Sequence, residues 1–133
     1  MGKLGHLDKQ LVQRRDDWVD RVRKLVKTIA TWSASEEWQV DHDEKTIHEE
    51  LLGEYQVPVA VVHVPGGQLQ IQPVALHVVG ADGRVDIEAY PTLNRVKLVG
   101  YEGGWRIYTD SNVPLHADWE QGTFVRLAQE LLA

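Results

Sequence analysis

Cysteine is absent from the 133-residue chain, and so is any apolar run near the roughly 20 residues that a membrane-spanning helix needs. The missing cysteines exclude disulfides, thiolate zinc sites and cysteine nucleophiles, and they fit a reducing compartment. The first residues also lack the apolar stretch of a secretory signal. We therefore expect one domain, residues 1–133, that stays in the cytoplasm and does not enter a membrane.

The net charge of −6 is unevenly distributed along the chain. Residues 1–27 hold eight of the fourteen Lys and Arg, whereas residues 36–54 hold eight acidic residues and one lysine. One interpretation is a basic helix for anionic partners, and another is an acidic segment that binds metal or mimics nucleic acid. We favour a third, in which the two segments neighbour each other within one chain or across a dimer. The negative total makes nucleic acid an unexpected partner.

Two segments have the periodicity of amphipathic helices. Between Asp8 and Ser33, large apolar residues recur every seven positions, at Leu11, Trp18, Leu25 and Trp32. Asp8 is the expected N-cap, and the apolar stripe is wide enough to lie on a sheet. At the other end of the chain, Asp118 and Gln121 match a capping box before the apolar face of Phe124, Leu127, Ala128 and Leu131.

Between the helices the chain alternates β-branched runs with turn residues. Five strands are predicted: Tyr55–Val64, Leu69–Val79, Arg84–Tyr90, Arg95–Tyr101 and Trp105–Asp110. Residues 38–43 resemble an edge strand, while 46–52 fit a strand or one short helix. The expected fold is α+β: a long N-terminal helix, a mainly antiparallel meander of five to six strands, and a C-terminal helix, with both helices on one face of the sheet.

The turn sequences predict the register of the last four strands, because turn length sets pairing in a hairpin. The three turns are Asp82-Gly83, Pro91 to Asn94, and Glu102-Gly103. They place four side chains in a ladder across neighbouring strands: His77, Glu88, Lys97 and Tyr108. In this register one face of the sheet is apolar and the other polar. A change in the parity of apolar positions at Gln72-Pro73 also predicts a bulge or strand break there.

The polar face contains the candidate site residues His77, Asp86, Glu88, Lys97 and Tyr108. A histidine, carboxylates, a lysine and a tyrosine on one surface are suited to acid/base chemistry or to holding an anionic ligand. The alternative is a solvated face whose opposite charges pair across strands. Asp86 followed by Arg95-Val96-Lys97 partly matches a metal-dependent nuclease, but Arg95 stands where that motif requires Glu.

Metal and cofactor motifs are weak in this chain. His42 and His48 lie among acidic residues, yet their spacing matches no established zinc pattern. Nucleophile elbows, phosphate-binding loops and dinucleotide fingerprints are absent from the sequence. We therefore predict neither a metal ion nor a cofactor.

These observations favour a non-catalytic protein-interaction module that acts as a homodimer, with a protein as its partner. The alternative is a small hydrolase or an anionic-ligand-binding protein that uses the polar face, with or without a metal ion. Four of the five tryptophans fit core packing or a helix start. An exposed Trp38 or Trp119 would instead indicate a partner surface, because such amphipathic rings are enriched at interfaces.

Overall fold

A computed structural model describes residues 9–78 and 81–133, with the backbone alone described at His77, Val78 and Ala81. The predicted N-cap Asp8 lies outside the described residues. The elements in chain order are α1 (Lys9–Ser35), β1 (Gln39–Glu49), β2 (Gly53–Val64), β3 (Gly67–Val78), β4 (Ala81–Tyr90), β5 (Arg95–Tyr101), β6 (Gly104–Thr109), β7 (Pro114–Leu115) and α2 (Gln121–Leu131).

The seven strands form one antiparallel sheet in the order of the sequence, from β1 to β7. The α+β class, the antiparallel meander and the two terminal helices are thereby confirmed. The strand number is one higher than the upper prediction, because Pro114–Leu115 pairs with β6 where the sequence indicates an ordinary loop. The apolar side chains of the sheet and of both helices form one core.

Helix α1 contributes the largest apolar stripe to this core. Trp18 and Leu25 of the predicted seven-residue series are buried, as are Val22 and Ile29 beside them, whereas Leu11 and Trp32 are partly buried. No helix in the described part of the chain is long and apolar enough to cross a membrane. The helix lies so close to the sheet that a Cβ atom at Gly83 would overlap the Trp18 ring.

Strand β2 leaves its neighbour β3 halfway along its length. The two strands pair only from Ala60 to Val64, whereas β1 and β2 pair along their full length. The buried residues of β2 change from even positions near Val62 to odd positions at Tyr55 and Val57. Residues 43–59, the half of the β1–β2 hairpin that does not pair with β3, are called its free half. Two-stranded ribbons twist more than wide sheets, so the side of β2 that faces the core changes near Pro58.

The free half of the hairpin is held to β3 by side-chain hydrogen bonds rather than by strand pairing. The Glu49 carboxylate accepts hydrogen bonds from the Tyr55 hydroxyl and, at 3.1 Å, from the backbone N–H of Leu76. The Leu76 N–H would otherwise be unpaired where β2 has departed, and leaving such a group unsatisfied is costly. Residues 46–52, undecided from the sequence, continue β1 to Glu49 and then turn.

The strand registers confirm part of the ladder and correct the rest. Lys97 faces Tyr108, as predicted. Glu88 faces Arg95 instead of Lys97, which is two residues from the expected register. The backbone of His77 faces Asp82, so its predicted position opposite Glu88 is wrong. The bulge predicted near Gln72-Pro73 is confirmed between Pro73 and Ala75.

Helix α2 packs through an aromatic cluster. The Trp119 ring centre lies 5.2 Å from that of Trp32 on α1 and 5.9 Å from that of Phe124, and the Trp38 and Phe124 ring centres are 6.1 Å apart. The two tryptophans that would have indicated a partner surface if exposed are half-buried in this cluster. The predicted capping box of α2 is wrong, since the N-cap is Glu120 and its side chain makes no capping bond.

Removal of the Glu49 carboxylate should destabilise the fold. We expect Glu49→Ala to lower the free energy of unfolding by about 1–3 kcal/mol in urea melts, because two partly buried donors lose their acceptor. Glu49→Gln keeps an acceptor and should recover part of the loss. The control Glu50→Ala changes an exposed turn residue and should be neutral. Equal losses for Glu49→Ala and Glu50→Ala would contradict this role.

The Tyr55 hydroxyl should make stability sensitive to alkaline pH. Burial raises the pKa of Tyr55 well above its usual value near 10, and the hydrogen bond to Glu49 raises it further. Because the folded-state pKa is the higher one, the stability from the neutral hydroxyl is complete below about pH 10 and is lost as the pH rises towards the folded-state pKa. We expect unfolding free energy to fall more steeply between about pH 10 and 11.5 in wild type than in Tyr55→Phe. Equal slopes would contradict the shift.

Candidate functional site

The polar face of the sheet is the surface formed by Arg84, Asp86, Glu88, Arg95, Lys97, Arg106 and Tyr108 on β4, β5 and β6. Side chains in a strand alternate between the two faces, and the apolar residues between these positions point into the core. One row across the strands contains Asp86, Lys97 and Tyr108, and the next contains Glu88 and Arg95. The structure therefore brings four of the five candidate side chains to one surface.

Asp86 is the most buried of these charged groups, with 6% of its surface exposed. Arg84, two residues away on the same strand, donates two hydrogen bonds to its carboxylate, at 2.7 and 2.8 Å. Arg95 on β5 approaches the second carboxylate oxygen at 3.5 Å. The hydrogen bonds that Arg84 donates to the Asp86 carboxylate raise the pKa of Arg84 despite its partial burial. Asp86 is thus a structural anion between two guanidinium groups.

The other charged groups of the polar face also have partners nearby. Arg95 donates to Asp110 at 2.9 Å, and the Lys97 ammonium donates to the Asn112 side-chain oxygen at 2.8 Å. Glu88 accepts a hydrogen bond from the hydroxyl of Tyr90, two residues along its own strand. Arg84, Asp86, Arg95 and Asp110 thus form one connected chain of ion pairs, and each candidate carboxylate has a donor.

One charged group beside the polar face is not evident from the sequence. The Lys45 ammonium, on the free half of the β1–β2 hairpin, donates to Gln72 at 3.3 Å. Burial lowers the pKa of Lys45, and the negative charge of Asp86 partly offsets that effect. Lys45 is the single cation in the acidic segment 36–54, and that isolation is the one signal that could have drawn attention to it.

His77 does not join this arrangement as predicted. Its backbone faces Asp82 near the end of β3, and its side chain lies outside the described residues. On β3, Gln70 lies opposite Glu88 and Gln72 lies opposite Asp86. Arg84 and Arg95 take the positions next to the carboxylates, so ion pairing replaces the expected histidine–carboxylate contact.

The remaining histidines do not form a metal site in the described part of the chain. No group of three or more His, Asp and Glu side chains is placed there to hold an ion. His42 and His48 lie on one strand, six residues and therefore roughly 20 Å apart. His63 pairs with Asp41 at 2.7 Å and His48 with Glu54 at 3.3 Å.

Comparison with known proteins adds no family to this geometry: no family model, curated protein or solved structure matches the chain. The chemistry of the surface itself is therefore the guide to function.

Removal of the Asp86 charge should destabilise the polar face. Asp86→Asn keeps an acceptor but leaves the Arg84 guanidinium without its buried counter-ion, so we expect unfolding free energy to fall by about 1–3 kcal/mol in urea melts. The matched control is Glu88→Gln on the same strand, which alters a half-buried hydrogen bond with Tyr90 and keeps an acceptor for it, so it should cost clearly less. A larger cost for Glu88→Gln would contradict the structural role of Asp86.

Proposed function

We propose that this chain is a cytoplasmic, non-catalytic protein-interaction module that acts as a homodimer through the polar face. The observation that carries the proposal is the internal pairing of that face. Asp86, Glu88 and Lys97, the groups suited to acid/base chemistry, are each engaged by a neighbouring side chain. A surface of this kind offers fixed contacts to a partner rather than a reactive group to a substrate.

Proton transfer is disfavoured by the positions of these groups. A general base needs an available lone pair aimed at the substrate and a pKa near the working pH. The Asp86 carboxylate has both oxygens occupied by arginine N–H groups and little exposed surface. The Lys97 ammonium is directed to Asn112. The hydrolase alternative therefore has little support in the geometry.

The composition of the polar face favours a protein partner. Tyrosine and arginine are enriched at protein–protein interfaces, and the face carries Tyr108, Arg95 and Arg106, with Tyr90 next to Glu88 at its border. Ion pairs within the face hold its long side chains in place before any partner arrives, which reduces the entropy lost on binding. The exposed part of each pair remains free to contact a second molecule.

Charge is separated across the sheet in a way that suits a second copy of the chain. Asp41 and Asp43 on β1 are exposed and lie opposite Val61 and Val59, on the continuation of the polar face. On β5 and β6, Lys97 and Arg106 have neutral partners in the described part of the chain. Acidic and basic groups therefore occupy opposite sides of one surface.

Two copies of the chain can pair the acidic side of one with the basic side of the other at two places. If the sheets stack face to face about a two-fold axis along the strands, β1 of each copy lies over β5 and β6 of the other. The acidic side then meets the basic side at two symmetric positions, which favours association and fixes orientation. Pairing through the β1 edge is less suitable, because charged side chains such as Asp41, Asp43 and Glu44 are typical of edges that avoid strand addition.

A charge exchange tests the dimer. We expect light scattering to give twice the chain mass of 15.1 kDa for wild type. Lys97→Glu and Asp43→Lys alone should each raise the dissociation constant by about tenfold or more, since each places like charges together at two symmetric sites. The double variant Lys97→Glu/Asp43→Lys should restore association, because the pair is reversed.

The control variant is Lys24→Glu, which makes the same charge change on the exposed surface of α1. It should leave the dimer unchanged and so separates a local contact from an effect of net charge. A monomeric wild type at millimolar concentration would overturn the homodimer. Failure of the double variant to recover would place the interface on another surface.

A further inference from the structure

A cleft lies at the far edge of the sheet, where β6 is only partly covered. Strand β7 pairs with β6 at two positions, Leu115 with Ile107 and Pro114 with Tyr108. The chain then turns sharply, because the N–H of Ala117 bonds back to the carbonyl of Leu115 at 2.9 Å. This turn leads the chain away from β6 and leaves a cleft of about 590 Å³ before α2 begins.

Polar groups and a set of aromatic and apolar residues line this cleft together. The aromatic and apolar residues include Tyr101, Trp105, Ile107, Tyr108, Pro114, Leu115 and Trp119. Both tryptophans pack against a tryptophan of α1. The ring centres of Trp105 and Trp18 are 6.3 Å apart, and Trp119 packs edge-on against Trp32 with ring centres 5.2 Å apart. The walls are therefore preformed, as in most small-molecule sites, and the volume falls within the roughly 300–1,000 Å³ of such sites.

One cation is fixed at this cleft. The Arg106 guanidinium lies 3.7 Å above the centre of the Tyr101 ring, a stacking contact that holds the planar group in place. In the described part of the chain no carboxylate forms an ion pair with Arg106. Contacts with Tyr101 and Tyr108 raise the pKa of Arg106, so the group stays charged. Its planar fork suits a carboxylate, to which it can donate two parallel hydrogen bonds.

The two remaining polar groups of the lining are His116 and Asp118. Asp118 carries negative charge and opposes an anion, so the carboxylate of a ligand must bind on the Arg106 side of the cleft. This arrangement gives a ligand one defined orientation: the charged group on Arg106 and the apolar body along Trp105 and Trp119.

We propose that this cleft binds a small planar aromatic carboxylate. The carboxylate pairs with Arg106, and the ring packs against the tryptophan walls. This binding site is separate from the dimer interaction of the polar face, except that Arg106 and Tyr108 border both. An extended acidic peptide is the alternative occupant. If the cleft is specific for a small aromatic carboxylate, such a peptide does not displace it.

The experiment is a titration with 2-naphthoate, using 2-naphthamide as the neutral ligand of the same shape. The five tryptophans give five indole N–H signals in a ¹⁵N spectrum, which Trp105→Phe and Trp119→Phe assign to the cleft. We expect saturable shifts that are largest at Trp105 and Trp119, with the carboxylate binding about tenfold more tightly than the amide.

Two charge variants with opposite expected effects test the orientation. Arg106→Gln should weaken 2-naphthoate about tenfold and leave 2-naphthamide unchanged, because only the carboxylate uses the guanidinium. Asp118→Asn should tighten 2-naphthoate, since it removes a repulsive charge. The matched control Arg126→Gln changes an exposed arginine on α2 and should alter neither ligand.

Three results would overturn the site: equal affinity for the acid and the amide, no saturation at millimolar ligand, or unchanged 2-naphthoate affinity in Arg106→Gln. Displacement of 2-naphthoate by a short Glu-rich peptide at equal concentration would instead assign the cleft to a peptide. The dimer mass of Lys97→Glu is measured alongside, so that loss of the dimer with intact ligand binding separates the two proposals.

Discussion

The close approach of α1 to the sheet determines which face becomes the core. Gly83 lies in β4 with a φ of +102° and directly under Trp18, so that both its backbone conformation and the space above it require glycine. At Gly100 a Cβ would lie 2.9 Å from the Arg21 guanidinium. With the helix this close, the opposite face is left for charged residues.

The same contact organises the far edge of the sheet. Arg21 donates to the carbonyl of Gly104 and stacks over the Trp105 ring at 4.6 Å, while Trp18 contacts that ring from the side. Desolvation lowers the pKa of Arg21, and Asp82 offsets part of that effect. The position of β6, and with it one wall of the cleft, therefore depends on α1.

The division of the sheet into an apolar and a polar face was predictable, whereas the pairing of individual residues was less so. Glu88 faces Arg95 rather than Lys97, but an error of two residues returns every side chain to the same face. The tight turn at Glu102-Gly103 allowed no such error, and Lys97 faces Tyr108 as expected. Period-two alternation is thus a stronger signal than turn length.

The remaining errors arise where the role of a residue depends on a contact with a distant part of the chain. Asp82-Gly83 has the composition of a hairpin turn, yet Val78 already pairs with Ala81, and Gly83 makes room for Trp18. Lys45 is similarly ambiguous in sequence, because its proximity to Asp86 depends on β2 pairing with β3 only from Ala60 onward. Such long-range contacts have no periodicity and so cannot be found by pattern.

The distribution of charge links the polar face to the cleft. Asp86 and Asp110 neutralise Arg84 and Arg95, which leaves the positive charge of β5 and β6 on Lys97 and Arg106. If Arg106 faces the acidic side of a second copy, a carboxylate bound to it reduces that attraction. Thermodynamic linkage then makes the two effects equal in size. The dimer binds the ligand more weakly than the monomer does, and the ligand weakens the dimer by the same factor. One strip of cationic residues would in this way couple ligand binding to self-association.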